Sequence, residues 1–259
     1  IEIMPDNTVK MSKNRIAIVG YGAFGGLLSR ILPHDLPIGI ISDVAVEIPD
    51  YCEKISYENL DSFDIIFLAV PIDALKYASK EVAKYVLPAT IVSDVCSVKE
   101  IPSEILHEVF NGVCSYVPTH PLFGPSSVTT REDTAGKELV WCSKKNHKTT
   151  PLRDLLVSEL GLNVVDMSPT EHDKQMAWIH ALTFYVGRSL LQMDIPVLSL
   201  STGYFQTLLS LRDLESSHSE ALFMTIQKGN RYARPIRELY NSTLVMLDDH
   251  IHSRQGVEK

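Results

Sequence analysis

The sequence predicts an α/β protein in which a doubly wound parallel sheet is followed by an all-helical region. Buried-strand patterns alternate with helical patterns over roughly the first two thirds of the chain, for example at residues 15–19 and 64–70. The first strand runs directly into a glycine-rich turn that opens a helix. After about Ser168 only helical periodicity remains, and we place a domain boundary there.

The glycine-rich turn, GYGAFGG, places Gly20, Gly22 and Gly25 between the first strand and a helical pattern. The first glycine permits a tight turn, the second lets the backbone approach a pyrophosphate, and the third lets the helix pack closely on the strand. In this setting GxGxxG predicts a Rossmann-type dinucleotide site rather than an empty glycine turn. The residues that we expect to contact the cofactor are Gly20, Tyr21, Gly22, Ala23, Phe24, Gly25, Asp43, Val70 and Pro71.

The second strand, residues 38–41, is followed by Asp43, which lies 23 positions after Gly20. An acidic side chain near this distance suits the adenosine ribose hydroxyls and repels a 2′-phosphate. Residues 38–53 contain no Arg or Lys that could bind such a phosphate. We therefore expect NAD as the cofactor, with NADP left open and with Ser42 as the alternative occupant of this position.

Three segments lie at the ends of predicted strands: Val70-Pro71, residues 94–97 and Thr119-His120. Ligands of doubly wound sheets bind at the carboxyl ends of the strands. His120 lies in THPLFGP, where the following proline and the Phe-Gly-Pro turn favour a stiff loop. We expect His120 to be the proton-transfer group, and the alternative is a structural histidine in a rigid turn.

The remaining elements follow from periodicity. We expect an N-terminal arm (residues 1–13), a dinucleotide-binding Rossmann domain (14–168) and a helical substrate and dimerisation domain (169–259). SPTE at the start of the last domain is typical of a capping box. Its first helix is rich in Ala, Leu, Trp and Phe, which favours a homodimer. The predicted helices are 73–85, a helix ending near 110, 150–160, 171–193, 196–200, 205–215, 219–228 and 236–252, and two late strands are predicted at 138–142 and 162–166.

Composition narrows the function class. The net charge is −8 and the pI is about 5.6, which argues against nucleic acid or an anionic membrane as the main partner. No apolar run approaches the roughly 20 residues that span a bilayer. The four cysteines are widely spaced and form no CxxC, so we expect free thiols, no metal site and a cytoplasmic location.

Four segments in this order, GYGAFGG, DVCSVKE, THPLFGP and EHDKQMAWIHAL, resemble the prephenate and arogenate dehydrogenases of tyrosine biosynthesis. The resemblance covers residues 15–249. It implies NAD-dependent oxidative decarboxylation of a cyclohexadienyl acid by a homodimeric oxidoreductase. It also implies that His120 is catalytic and that Ser97 orients this histidine and the nicotinamide. His172 and Asp173 match an HD pair at the start of the long helix.

The chain departs from the family pattern at two positions. The family's second histidine aligns with Phe184, and His180, one turn earlier, substitutes for it if it faces inward. The family's arginine after a tyrosine is replaced by Phe205-Gln206, so the expected carboxylate partners are Gln206 and Arg188, with Arg212 or a basic residue of segment 228–234 of a partner subunit as alternatives.

We expect prephenate as the substrate, arogenate as the alternative, and an inactive or regulatory nucleotide-binding homologue as the second alternative. Other two-domain nicotinamide enzymes place a lysine in the long helix. This helix has only Lys174, near its start.

Overall fold

A computed structural model describes residues 14–144 and 146–255, and the predicted N-terminal arm lies outside this part of the chain. Within it, eight strands form one sheet. The strands are β1 (Ile16–Val19), β2 (Ile38–Ile41), β3 (Cys52–Lys54), β4 (Ile65–Leu68), β5 (Ile91–Asp94), β6 (Ser115–Pro121), β7 (Glu138–Trp141) and β8 (Asn163–Asp166).

The strand order is β3-β2-β1-β4-β5-β6-β7-β8, and the first six strands are parallel. The direction of winding reverses between β1 and β4, which is the topological switch point where doubly wound folds bind their ligands. The structure confirms the predicted fold class, a mostly parallel sheet with helices followed by a helical region.

Most helices begin and end close to the predicted positions. The helices are α1 (Ala23–Ile31), α2 (Ile72–Ala83), α3 (Glu100–Phe110), α4 (Thr150–Asp154), α5 (Pro169–Met176), α6 (Thr183–Gln192), α7 (Gly203–Ser216), α8 (Glu220–Gly229) and α9 (Ala233–Gln255). The helix predicted at 150–160 consists of α4 followed by a π-helical segment, Leu155–Glu159. The last strand ends at Asp166 and helix α5 begins at Pro169, with Ser168 as its N-cap. This change of structure supports a domain boundary near Ser168, which we keep as a proposal.

Both faces of the sheet are covered, because successive residues of a strand point to opposite sides. In β1, Ile16 and Ile18 pack with Leu27 of α1 on one face, where α4 also packs. Ala17 and Val19 face the opposite side, together with residues of α2 and α3. This explains why the central strands are continuous apolar runs.

His120 lies on β6 and not on a loop as the sequence indicated. The strand continues through Pro121 because β7 pairs with it in antiparallel register, His120 opposite Val140. This pairing fixes the backbone at His120 within the sheet. The edge strand β3 was not predicted, because its three residues are mostly polar and exposed.

The long helix predicted for residues 171–193 is continuous but changes geometry in its middle. A π-helical segment, Ala177–Leu182, separates α5 from α6. The helix predicted at 196–200 is absent. Helix α6 stops before Asp194, whose φ of 50° is left-handed, and a proline-containing segment of five residues is too short to form a helix without packing.

Within the described residues, no helix combines the length and the apolar character that a membrane span requires.

We expect Gly39→Ala to destabilise the protein by about 1–3 kcal/mol, since overpacking a core has a cost of this size. An added Cβ on this β2 residue would lie 2.6 Å from Ile55 Cδ1 and 2.6 Å from Phe63 Cζ. Gly203→Ala is the matched control, because its Cβ would meet no atom within 4 Å. Urea unfolding of both variants measures the difference, and equal stabilities would contradict the packing described here.

Candidate active site

The candidate site is centred on His120, which is 4% exposed at the carboxyl end of β6. Its Nδ1 lies 2.8 Å from Nε2 of His172 on α5. The ring of His180, from the π-helical segment, lies nearly parallel to the His120 ring with 5.8 Å between centroids. The imidazole of His120, from the sheet, thus contacts two imidazoles from the helical region, those of His172 and His180.

Asp173 fastens the helical region to the sheet beside these histidines. Its carboxylate accepts hydrogen bonds from the backbone N–H groups of Lys99 (2.8 Å) and Glu100 (2.9 Å), at the start of α3. The same carboxylate lies 2.7 Å from His172 Nδ1. The contacts of Asp173 with Lys99 and His172 are buried, and both His172 and Asp173 are 0% exposed. An anion is favoured at this place because a helix N-terminus presents unpaired N–H groups.

A buried ion pair lies beside His120, at the ends of β5 and β6. The ammonium of Lys99 binds the Asp94 carboxylate and the Thr119 carbonyl, and all three residues are fully buried. Asp94 also accepts a hydrogen bond from the backbone N–H of Cys96. A buried charge needs such partners, because removal of either one leaves the other uncompensated. Lys99 thereby ties the end of β5 to the end of β6, next to His120.

These surroundings keep the imidazoles neutral. Burial holds the pKa of His120 well below its usual range, and the nearby His172, His180 and Lys99 lower it further. Burial also lowers the pKa of His172. The pKa of His180 falls to about 4, mainly through burial and then through His218 and His172. His180 is therefore a neutral base near pH 7, as is His120, whose pKa is also lowered.

The glycine turn is shaped for a ligand. Gly20 has a left-handed φ of 98°, and a Cβ on Gly25 would lie 2.1 Å from the Gly20 carbonyl oxygen. The backbone conformation therefore requires glycine at position 20, and close packing requires glycine at position 25. A Cβ on Gly22 would meet nothing within 4 Å, so the open space there is available for a phosphate. Helix α1 begins without a side-chain cap or an acidic residue in its first turn, which leaves its N–H groups available to an anion.

The other predicted cofactor residues surround this turn. The backbone N–H of Gly20 bonds to the Ile41 carbonyl, which brings the end of β2 beside the turn. Asp43, two residues later, is exposed. Ser42 Oγ is bonded to the backbone of Val44, and this local bond leaves Asp43 as the better acceptor for a ribose. On the other side of the switch point, Val70 lies against Gly20, and Pro71 precedes α2.

Aromatic side chains connect the cofactor turn to the His120 segment. Phe24, in the first turn of α1, packs on Phe123 of the THPLFGP segment with 6.2 Å between ring centroids. Tyr21 is hydrogen-bonded to Ser29 of the same helix. Ala23 is the first residue of α1. The turn and the histidine are thus neighbours in space.

Three predicted residues have contacts other than those expected. Ser97 is half-buried after β5, but the hydrogen bond on His120 Nδ1 is made by His172. Arg188 forms ion pairs with Glu215 and Glu220, so its guanidinium already has carboxylate partners. Gln206 is exposed in the first turn of α7, with Ser201 as its side-chain partner.

The helical side of the site is an aromatic stack that sequence reasoning only partly anticipated. His180 contacts Phe184 edge-on at 4.4 Å, and Phe184 stacks on His218 at 4.4 Å. Phe184 is also part of the core of the helical region, with Ala181 and Ile226. His218 gave no signal in the sequence, because it lies between two helices and belongs to no periodic pattern.

The start of the long helix did carry a sequence signal for the site. His172 and Asp173 are adjacent and both buried, and capping of the helix does not require these two residues. Lys99 also carried a signal, because a charged residue that lies a few positions after the end of a buried strand is a candidate for the site.

Comparisons with known proteins agree with this geometry. Residues 41–152, which include β5, the Lys99 turn and His120, match the family model described as prephenate dehydrogenase, nucleotide-binding domain. A probable arogenate/prephenate dehydrogenase of Methanocaldococcus jannaschii is 26% identical over 187 residues, 68% of this chain. The chain is thus similar to prephenate and arogenate dehydrogenases in both comparisons.

Other similar proteins cover more of the chain. Arogenate dehydrogenase 2 of Arabidopsis thaliana is 26% identical over 233 residues, 83% of this chain. A crystal structure of prephenate dehydrogenase from A. aeolicus, in complex with hydroxyphenyl propionate and NAD+, has the same fold with a TM-score of 0.74. At 18% identity, the alignment covers 96% of this chain and 94% of that structure.

The chain is shorter than its curated relatives. It spans 41% of the length of the M. jannaschii protein and 63% of the Arabidopsis protein. Its activity, substrate and partners are therefore matters for proposal and test.

We expect the free energy of unfolding to fall as the pH is lowered from 7 to 5, in part because of His180. The folded protein holds the pKa of His180 at about 4, whereas an unfolded histidine titrates near pH 6.5. Below that pH the unfolded chain binds a proton that the folded chain does not. This difference favours unfolding by about 1.4 kcal/mol per pH unit for one group.

In the His180→Asn protein, the free energy of unfolding should depend less steeply on pH, by the contribution of about one proton. His252→Asn, on an exposed part of α9, is the control and should leave it unchanged. Urea unfolding at pH 7 and at pH 5 measures the change. An equally steep decline in the His180→Asn protein would contradict the burial of a neutral His180.

Proposed function

We propose that this chain is an NAD-dependent prephenate dehydrogenase, with arogenate as the alternative substrate. The observation that carries the proposal is a buried, neutral His120 at the carboxyl edge of a doubly wound sheet, next to a turn that leaves room for a pyrophosphate. Relatives named prephenate or arogenate dehydrogenase support the same chemistry.

His120 is the general base of the proposed reaction. The substrate ring bears a hydroxyl on a saturated carbon and a carboxylate on the opposite carbon. When bound, the nicotinamide supplies the hydride acceptor for the carbon that bears the hydroxyl. His120 takes the hydroxyl proton, the bond to the carboxylate breaks to release CO₂, and its electron pair makes the ring aromatic. The proton then returns from His120 to the phenolic oxygen, so atoms and charge balance.

A base must be unprotonated before it can act, and the lowered pKa of His120 meets this condition near pH 7. Positioned acid–base help of this kind contributes about 10²- to 10⁴-fold to a rate.

His180 is the proposed substrate contact on the helical side. Across residues 14–144 and 146–255, no protein group forms a hydrogen bond with its ring, whereas His120 and His172 bond to each other. Its ring faces His120, as the sequence hypothesis required. A neutral imidazole in this place can donate to or accept from a polar group of the substrate.

The pairing of the acidic side chains favours prephenate over arogenate. Arogenate carries an ammonium group that needs a carboxylate partner, whereas prephenate carries a keto acid. Asp213, Glu215 and Glu220 of the helical region each pair with an arginine of the chain. Asp94 pairs with the Lys99 ammonium, and Asp173 accepts a hydrogen bond from the Lys99 backbone N–H. This arrangement leaves the ammonium group without an obvious partner among these five carboxylates.

We also propose a homodimer in a reducing compartment, the cytoplasm. Helix α9 exposes Leu239, Val245 and Met246, and the segment before α7 exposes Val197 and Leu200. Exposed large apolar side chains in the helical region support burial against a second copy. The four cysteines are free thiols, which supports a reducing environment.

The purified protein should reduce NAD in the presence of prephenate, followed by the nicotinamide absorbance, with slower or no reaction on arogenate. His120→Asn should lower kcat by about 10²- to 10⁴-fold with unchanged NAD affinity, since only the proton acceptor is lost. Faster turnover of arogenate would reverse the substrate assignment. NAD binding without turnover of either acid would instead indicate an inactive or regulatory homologue.

Asp43→Ser should reduce the preference for NAD over NADP by at least 10-fold in kcat/KM, because the carboxylate that repels a 2′-phosphate is removed. Glu47→Gln, which changes a charge farther along the same loop, is the matched control. Steady-state kinetics with both cofactors measure the ratio. An unchanged ratio in Asp43→Ser would assign the selectivity to another residue.

A further inference from the structure

A continuous chain of hydrogen bonds leads from the start of α3 to the ring of His120. Asp173 accepts the Lys99 and Glu100 backbone N–H groups at 2.8 and 2.9 Å. Its Oδ1 lies 2.7 Å from His172 Nδ1, and His172 Nε2 lies 2.8 Å from His120 Nδ1. The two histidine rings are steeply inclined, with an interplanar angle of 76°. The contacts from Lys99 through Asp173 and His172 to His120 are buried, so water does not compete for these atoms.

The positions of the protons follow from the donors at the far end. A backbone N–H can only donate, so both Asp173 oxygens act as acceptors, as in an ionised carboxylate. His172 Nδ1 must then carry the proton of the bond to Asp173. A neutral imidazole has one N–H, so His172 Nε2 has a lone pair and accepts. The lowered pKa of His172 is consistent with this neutral form.

The same logic continues to His120. The lone pair of His172 Nε2 can only be matched by an N–H on His120 Nδ1. Because the pKa of His120 is also lowered, its ring is neutral and carries no second proton. Its Nε2 must therefore be the unprotonated nitrogen. The hydrogen-bond network thus assigns one tautomer to each ring.

We propose that His172 and Asp173 are positioning residues that lock His120 in the Nδ1–H tautomer, so that its Nε2 lone pair is the base that receives the substrate proton. The proposal rests on the proposed function for the identity of that substrate, but the tautomer itself is a property of the free protein. In the reaction, the substrate O–H bond breaks as the Nε2–H bond forms. The resulting imidazolium keeps donating from Nδ1 to His172, and the Asp173 carboxylate at the far end of the chain stabilises its charge.

Other charged and titratable groups face His120 from neighbouring elements. Lys99, which follows β5, and His180, in the π-helical segment, both disfavour a positive charge on its ring. Asp94 offsets Lys99 through their buried ion pair. The carboxylate of Asp173 is thus the negative charge that is connected to the ring through hydrogen bonds.

Three variants separate positioning from simple structural support. His172→Leu removes the acceptor for His120 Nδ1–H. His172→Gln replaces it with an amide oxygen, which can accept the same bond. Asp173→Asn supplies an amide N–H toward His172, which favours the reversed tautomers of both rings. Glu171→Gln, on the exposed side of α5, is the control.

The readouts are the ¹⁵N shifts of the His120 ring nitrogens, kcat and the NAD dissociation constant. The wild-type protein should show a protonated Nδ1 and an unprotonated Nε2. His172→Leu should populate the Nε2–H tautomer and lower kcat by at least 10-fold, with NAD affinity unchanged. His172→Gln should restore the Nδ1–H tautomer and most of kcat. Asp173→Asn should lower kcat by about 10²- to 10⁴-fold, as expected when a base is held in the wrong tautomer.

The proposal is overturned if His172→Leu retains both the wild-type tautomer and kcat, or if the wild-type ring already carries its proton on Nε2. Should Asp173→Asn fail to fold, the Leu and Gln variants of His172 still decide the question. They keep the hydrogen bonds from the Lys99 and Glu100 backbone N–H groups to Asp173. If neither prephenate nor arogenate is turned over, the proposed function fails, and the ¹⁵N shifts alone test the tautomer.

Discussion

The contact on which the site depends is the Asp173 carboxylate at the start of α3. It binds two backbone N–H groups that the first turn of a helix would otherwise leave unpaired. This buried group fixes the helical region to the carboxyl edge of the sheet, together with the His120–His172 contact and the hydrogen bond from Thr170 to Glu100. Neither part contains the whole site, because His120 belongs to the sheet and His172 and His180 belong to the helical region. The geometry of the histidines follows from where Asp173 is held.

Charged groups near the buried His120 influence whether its ring is protonated. Lys99 and Asp94 form a fully buried pair beneath it. Such a pair is a weak source of stability, since desolvation offsets much of its Coulomb attraction. Its value is geometric, because the ammonium joins Asp94 at the end of β5 to the Thr119 carbonyl at the end of β6. The same ammonium disfavours protonation of His120 and so helps to keep a base available.

The π-helical segment Ala177–Leu182 shows how the helical region presents a side chain to the sheet. A π turn adds one residue to the helical repeat and rotates the residues beyond it, and such segments are frequent at functional sites. Gln227 of α8 donates to the Ala181 carbonyl in this segment. The segment places His180 against His120, while Phe184 packs into the helical core. Phe184 thus belongs to the core of the helical region, and His180, one turn earlier, faces the site.

The sequence by itself determined the class of fold, the switch point with its glycine turn and the residues that gather there, because strand and helix periods and glycine turns are local properties of the chain. It did not determine that β7 runs antiparallel and extends β6 through His120, or that Arg188 is held by Glu215 and Glu220. The bond between His120 and His172 joins residues 52 positions apart. Such contacts depend on how two finished elements pack, and no local pattern encodes that. Tertiary structure alone therefore decided which nitrogen of His120 is free, since that choice depends on a partner from another part of the fold.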